Sequence, residues 1–507
     1  MSSVYEVVKS EIKFFVYRTP YVIVNDDGEL TVHFSRDESS YSYIKKITFL
    51  SILGRNNAGE CISYTPVDVV NRFLISHHID DGKQESDQYS KALSHFFSFI
   101  IKKQNEWDDN FDEDVYEEGV DPPRPQWDYM TSITSERITF QYRKHLLDAL
   151  RNQTGISGNT AKAYINAVVK FYSFHIKNGY YFNNPPFSYE IIKIQLKANA
   201  TVMSNEVTKY VQTTDMRIRV AKSSRNEGGV IESDRRDLRP LSNQQWKEAE
   251  KILLESHQVI KKINGRDRMS HLAIEYRLLF LICRYTGMRR EEAASLHLGQ
   301  IELPRRKASG DYEKRILRIG IGDRFGSMTK TKGVGNKSRV TIIPSLLMEM
   351  LYTYSRSSRY QTRYQKFVDY CEQKKDTNDV GFFKSEDSVV DGKKFLFLSA
   401  KGKPFFLTIN QLNNRWNEVR DTVSLLTGHK MEHSIHNLRS TFAVNMFRAC
   451  LQKTSAERSL AYVSDLLGHE DLKTTMLYLM IAQDEPTGDE IYEGVLEWLD
   501  IFDDLKS

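Results

Sequence analysis

Leu466-Leu467-Gly468-His469-Glu470-Asp471-Leu472-Lys473-Thr474-Thr475-Met476-Leu477-Tyr478 is the stretch from which the rest of this 507-residue chain becomes readable. Two leucines end a helical run, a glycine turns the backbone, and a histidine follows at once. A second helix start then carries Tyr478 nine residues beyond His469. A tyrosine by itself says little, because the chain holds 27 of them and such side chains more often pack than react. Tyr462 and Tyr492 lie nearby without that spacing and read as structural. Tyr478 stands out through its distance from His469 and from an arginine upstream.

That arginine lies in His433-Ser434-Ile435-His436-Asn437-Leu438-Arg439-Ser440-Thr441-Phe442-Ala443. On a helix His436 and Arg439 are one turn apart and face the same way, so both can donate to one anion. Further upstream is Tyr285-Thr286-Gly287-Met288-Arg289-Arg290-Glu291-Glu292-Ala293-Ala294-Ser295-Leu296. Its glycine permits a sharp turn into a helix, with Arg289 in the first turn and Glu292 one turn on. Between these blocks, Thr329 to Pro344 reads as a hairpin with a Gly-rich, lysine-bearing tip and a return strand that begins at Arg339. The G-x-x-x-x-G-K-[ST] spacing of a nucleotide loop is absent. Each block alone has a bland reading: a common helix start, a solvated basic turn.

Together, in this order over roughly 250 residues, the blocks resemble the catalytic domain of the tyrosine recombinase (phage integrase) family, which includes related transposases. T-G-M-R-R-E-E is similar to its first-arginine block, S-I-H-N-L-R to its H-x-x-R block, and L-L-G-H-E-D-L-K-T-T-M-L-Y to the block that ends in the nucleophile. The resemblance implies Tyr478 as nucleophile, forming a 3′-phosphotyrosine link and a free 5′-hydroxyl. It implies Arg289 and Arg439 as clamps on the non-bridging oxygens, completed by His436 and His469, with Glu292 supporting the first arginine. It implies a general-acid lysine on the hairpin, for which Lys332 is favoured, Lys330 competes and Lys337 is third. The fold implied is mainly α with a small antiparallel β-sheet (α+β), in which a helical core-binding domain and the catalytic domain form a C-shaped DNA clamp.

Elementary chemistry agrees with these roles. A tyrosine hydroxyl, with a reference pKa of about 10, attacks poorly at neutral pH unless cations stabilise the developing charge. Guanidinium forks gain most as a five-coordinate phosphorane accumulates that charge. One phosphodiester is exchanged for another ester, so the reaction needs no metal, cofactor or nucleotide hydrolysis. His429, His433 and His436 fall at helix-like steps, but no cysteine or carboxylate cluster completes a metal site.

The remainder divides by composition. Residues 1–64 are a segment with one hairpin signal, Tyr21 to Phe34 around an Asp-Gly turn. Residues 65–190 carry amphipathic runs at Val69-Leu74, Tyr89-Ile100, Ile138-Leu150 and Asn159-Phe174, similar to the family's helical (SAM-like) core-binding domain. An acidic insert at 107–121 reads as a solvated loop. Residues 191–238 are polar and basic, a linker; Ser242 offers an N-cap that opens the catalytic domain, 239–507. At its far end an apolar stripe, Ile491, Val495, Trp498, Leu499 and Phe502, marks an acidic amphipathic helix, either packed on its own domain or docked on a neighbour.

Apolar runs are too short for a membrane helix, the longest being Leu278 to Cys283. Four scattered cysteines and a start without a leader pattern suggest an intracellular protein. The formal charge is only +4, yet residues 107–121 and 481–507 each contribute −8, so the other 465 residues carry +20. Such a body suits a phosphate backbone. The expected partner is double-stranded DNA, bound by a dimer at each site and a tetramer in the synapse. The alternatives are a type IB topoisomerase-like enzyme and a DNA-binding regulator without catalysis.

Overall fold

The computed structural model describes residues 4–56, 58–117, 121–152, 154–196, 207–218, 239–263, 265–329, 338–377, 379–384 and 389–469, with positions 475, 476, 478 and 482. They fall into two compact units, one of residues 1–222 with 379–388, the other of residues 223–378 with 389–507.

The first unit opens with β1 (Val4–Tyr17), the hairpin β2 (Pro20–Val24) and β3 (Leu30–Phe34), then β4 (Ser42–Arg55) and β5 (Cys61–Pro66). β1, β4 and β5 make an antiparallel sheet with β4 in the middle, while β2 and β3 form a separate ribbon. Helices α1 (Asp68–Ile79), α2 (Asp87–Asn110), α3 (Ile138–Arg151) and α4 (Gly158–Lys177) follow, matching the four amphipathic runs. Their aromatic core, including Phe73, Phe96, Phe171 and Tyr172, also takes in Leu50 of β4. The sheet of the first 66 residues thus shares the helices' core. The acidic insert is more built than a solvated loop: α2 runs into it as far as Asn110, and the rings of Trp107 and Phe111 stack at 4.5 Å.

The stretch expected as linker begins instead with a paired hairpin, β6 (Tyr189–Leu196) and β7 (Val207–Thr214), in register from Tyr189↔Thr214 to Leu196↔Val207. Three isoleucines in eight residues favour a strand there. Its basic part, residues 219–238, lies outside the described residues.

The second unit starts at α5 (Asn243–Lys251), where Ser242 and Gln245 make the capping box the sequence suggests. The hairpin β8 (Gln258–Ile263) and β9 (Arg266–His271) leads to α6 (Ile274–Thr286) and α7 (Arg290–Ala294). The apolar run Leu278–Cys283 is the buried middle of α6. Next come β10 (Ile316–Ile321) and β11 (Arg339–Pro344), paired antiparallel with Ile321 opposite Arg339, then α8 (Ser345–Arg356) and α9 (Ser358–Asp376). The short α10 (Val380–Lys384) belongs to the first unit, where Phe382 meets Phe14 edge-on at 4.9 Å. The second unit resumes with α11 (Ile409–Thr427), α12 (Ile435–Leu451) and α13 (Ala456–Leu467). α12 is buried along most of its length, and Phe442, Phe447, Val463 and Leu467 form a core that includes Tyr478. Among the described residues, no helix is long and apolar enough to cross a membrane.

Candidate active site

Gly287 ends α6 in the left-handed region, φ +66°, and a Cβ there would lie 2.5 Å from the Phe442 ring. Only glycine turns the chain this close to α12. The turn delivers Arg289 as the N-cap of α7, one step ahead of the first-turn position expected. Glu292 curls back onto it, accepting from the Arg289 backbone N–H at 2.8 Å and from its Nη1 at 2.9 Å.

Glu292 is fully buried, which calls for more than one cation. The second is Arg339, whose Nη1 and Nη2 donate to the two carboxylate oxygens at 2.8 and 2.6 Å. Burial alone would raise the carboxyl pKa; the Arg339 hydrogen bonds and the charges of Arg339, Arg439 and Arg289 overcome this and hold it at about 2. Arg339 Nε meanwhile donates to the Leu466 carbonyl at 3.0 Å. It thereby joins the root of the β10–β11 hairpin, the Arg289 helix and the turn before His469. Gly468 leaves room for it, since a Cβ at that position would lie 2.6 Å from Arg339 Cδ. The sequence names Arg339 only as a strand start.

On α12, whose own capping box is Ser434 and Asn437, His436 is half-buried and Arg439 fully buried. Arg439 donates through Nη1 to the Gly287 carbonyl and through Nη2 to the Leu467 carbonyl at 2.6 Å. Burial and the nearby Arg289 draw its pKa down to about 9, with Glu292 opposing, so it is charged at neutral pH. Its Nε has no hydrogen-bond partner among the described residues. Arg439, Arg289, His436, Arg290 and Arg420 line one cleft of about 570 Å³, with Glu291 and Glu432 among its acidic members.

Arg439 Nη2 also lies 3.0 Å from His469 Nε2. An arginine can only donate, so Nε2 accepts and the imidazole proton sits on Nδ1. Nδ1 is 2.8 Å from Thr475 Oγ1, which bonds Ser464 Oγ at 3.4 Å, and Ser464 Oγ reaches the His469 carbonyl at 3.3 Å. The loop of bonds fixes the ring. Burial, then the charges of Arg439, Arg289, Arg339 and His436, depress the His469 pKa to about 2, so it stays neutral.

Tyr478 stacks its ring near that of His469, centroids 6.0 Å apart and 18° between planes. It is fully buried, and its hydroxyl lies 3.5 Å from Ser440 Oγ on α12. The structure therefore gathers Arg289, His436 and Arg439 at the cleft, with His469 bonded to Arg439 and Tyr478 beside His469. Tyr478 itself does not line the cleft. Lys330, Lys332 and Lys337 fall outside the described residues, as does the stripe from Ile491 to Phe502. His429 and His433 precede α12 rather than sharing its face, and His433 Nε2 meets the Pro240 carbonyl at 3.2 Å.

The model of the phage integrase family matches residues 254–485, a span that holds every residue of this constellation. Residues 254–485 belong to the phage integrase family. No curated protein sequence matches the chain. Among solved structures, the Tn1549 transposon integrase in complex with a circular intermediate DNA aligns over 79% of this chain and 98% of its own, with 11% identity and a TM-score of 0.39. A lambda integrase dimer bound to a COC′ core site aligns over 86% and 94%, with 11% identity and a TM-score of 0.35. Arg339 thus stands inside the phage integrase domain as the residue that ties its arginine helix to its histidine turn.

Proposed function

We propose that this phage integrase family member is a site-specific DNA recombinase, the integrase or transposase of a mobile element, acting inside the cell on double-stranded DNA. The observation that carries the reading is the cleft shared by Arg289, His436 and Arg439, where a buried guanidinium keeps an Nε–H without a partner among the described residues. A cationic cleft with a spare donor suits a phosphodiester whose negative charge grows during reaction.

In the reaction, Tyr478 Oη bonds to phosphorus as the P–O5′ bond breaks. The phenolic proton passes to an acceptor in the cleft, and the 5′ oxygen leaves with a proton from the hairpin lysine, Lys332 in this reading. Arg289 and Arg439 bind the non-bridging oxygens, Glu292 orients Arg289, and His469 holds the Arg439 fork in plane. Attack requires Tyr478 to leave its contact with Ser440. A second 5′-hydroxyl reverses the step on a new strand, so ester energy is conserved. Residues 65–190 serve as the core-binding domain and 239–507 as the catalytic domain, working as a dimer on each site and a tetramer in the synapse.

The test uses DNA flanking the protein's own coding region. Strand exchange between two such sites, without ATP and in the presence of a chelator, is the expected result. Relaxation of any supercoiled plasmid without exchange would overturn it in favour of a topoisomerase.

A further inference from the structure

Among the described residues, the β2–β3 ribbon is paired with no other strand. Its register sets Pro20 beside Phe34, Val22 beside Val32 and Val24 beside Leu30. Directly opposed residues of an antiparallel pair share a face, so all six side chains on that face are apolar. The other face carries Tyr21 with His33 and Ile23 with Thr31. On the apolar face Val22, Val24, Leu30, Val32 and Phe34 are each between 56 and 71% exposed. A two-stranded ribbon is marginal in water unless something covers its apolar side, and single exposed residues do not account for a contiguous set.

We propose that this face packs against the same face of a second copy of the chain. Charge decides among the possible occupants. The turn carries Asp26, Asp27 and Glu29, and no lysine or arginine lies between Arg18 and Arg36. Such a tip repels a phosphate backbone or an anionic membrane surface. Two ribbons packed face to face about a two-fold axis, and antiparallel, place each acidic tip over the base of the other. That base holds Arg18 and Arg36, both exposed, while its acidic members are engaged locally, Asp37 by the Ser39 backbone N–H at 3.0 Å and hydroxyl at 2.6 Å and Glu38 by Lys384 at 2.8 Å. The apolar centre and the charged ends are therefore self-complementary, as an isologous contact requires. A patch of this size sits near the upper end of what monomers leave bare, roughly 300–600 Å². Two such patches bury on the order of 1,000 Å², the lower bound for a specific interface. The contact is accordingly weak and concentration-dependent.

The test is sedimentation equilibrium of the full chain without DNA, so its outcome is independent of the recombinase reading. Wild type is expected to pass from monomer to dimer with concentration, and Val22→Lys with Val32→Lys to weaken the dimer by roughly 30-fold or more. A charge exchange guards against simple misfolding of that variant. Asp27→Lys and Arg36→Glu should each weaken self-association, whereas their mixture restores a heterodimer of near wild-type affinity, because each like-charge pair becomes an opposite one. A wild type that stays monomeric, equal dissociation constants in the lysine variant, or a mixture no tighter than its components would each overturn the proposal.

Discussion

Arg339→Ala tests how the site is held together. The substitution removes two charge-assisted bonds to a fully buried carboxylate and one to the Leu466 carbonyl. Among the described residues, Glu292 then keeps its bonds from Arg289 alone. Breaking a buried pair costs about 3–5 kcal/mol. Holding the Glu292 pKa at about 2 rather than its ordinary 4.5 corresponds to about 3 kcal/mol at neutral pH. Arg439 and Arg289 share in that shift, so it bounds the Arg339 part, and the expected loss is about 3 kcal/mol.

Its pH dependence follows from linkage. The folded pKa lies below the unfolded one, so this stabilisation is complete above about pH 4.5 and is lost as pH falls through about 2. The stability gap between wild type and variant should therefore narrow steadily from pH 5 toward pH 2. Guanidinium titrations at several pH values measure it. A gap below about 1 kcal/mol at pH 7, or one constant with pH, would refute the reasoning. The double variant Arg339→Ala, Glu292→Ala should lose less than the sum of the single losses, because the two side chains form one unit.

Further outcomes follow from other parts of the site. His469 has a folded pKa of about 2 against 6.5 unfolded, so the unfolded chain takes up its proton first and stability falls with acidification. This group alone should give a slope of about 1.4 kcal/mol per pH unit below 6.5, and His469→Asn should flatten it in thermal scans. Thr475→Val leaves His469 Nδ1–H without its acceptor and should cost about 1–3 kcal/mol while loosening Arg439, seen as slower adduct formation. Gly287→Ala forces a positive φ on alanine and drives a methyl against Phe442; a loss of about 2 kcal/mol or more is expected, and an unchanged melting temperature would contradict the turn.

The helices of both units are legible in the sequence because each has one apolar face against a core, which writes period 3.6 into the chain. His436 and Arg439 come together by local geometry, and Gly287 and Gly468 mark the turns that aim their partners. Arg339 is not legible in this way, because its partner lies 47 residues away. Charge accounting gives the one available clue: a glutamate on a buried helix start needs more cations than Arg289 alone. β4 is obscured for another reason. It is the middle strand, and its buried apolar residues Ile44, Ile47 and Leu50 recur every third position, so the two-residue alternation of a half-exposed strand is missing. The insert at 107–121 is read as solvated from its eight acids, while its order comes from Trp107 and Phe111, which a charge count ignores.

The central claim is that Tyr478 attacks DNA. The direct measurement is covalent trapping on a nicked duplex, where release of a short 5′-hydroxyl strand prevents religation, followed by peptide mapping of the adduct. Wild type should carry the nucleotide on Tyr478, and Tyr478→Phe should give none. The hydroxyl's contact to Ser440 is 3.5 Å, so its removal should change stability by less than about 1 kcal/mol. A phenylalanine variant that forms as much adduct as wild type, or an adduct mapped to another tyrosine, would contradict the claim.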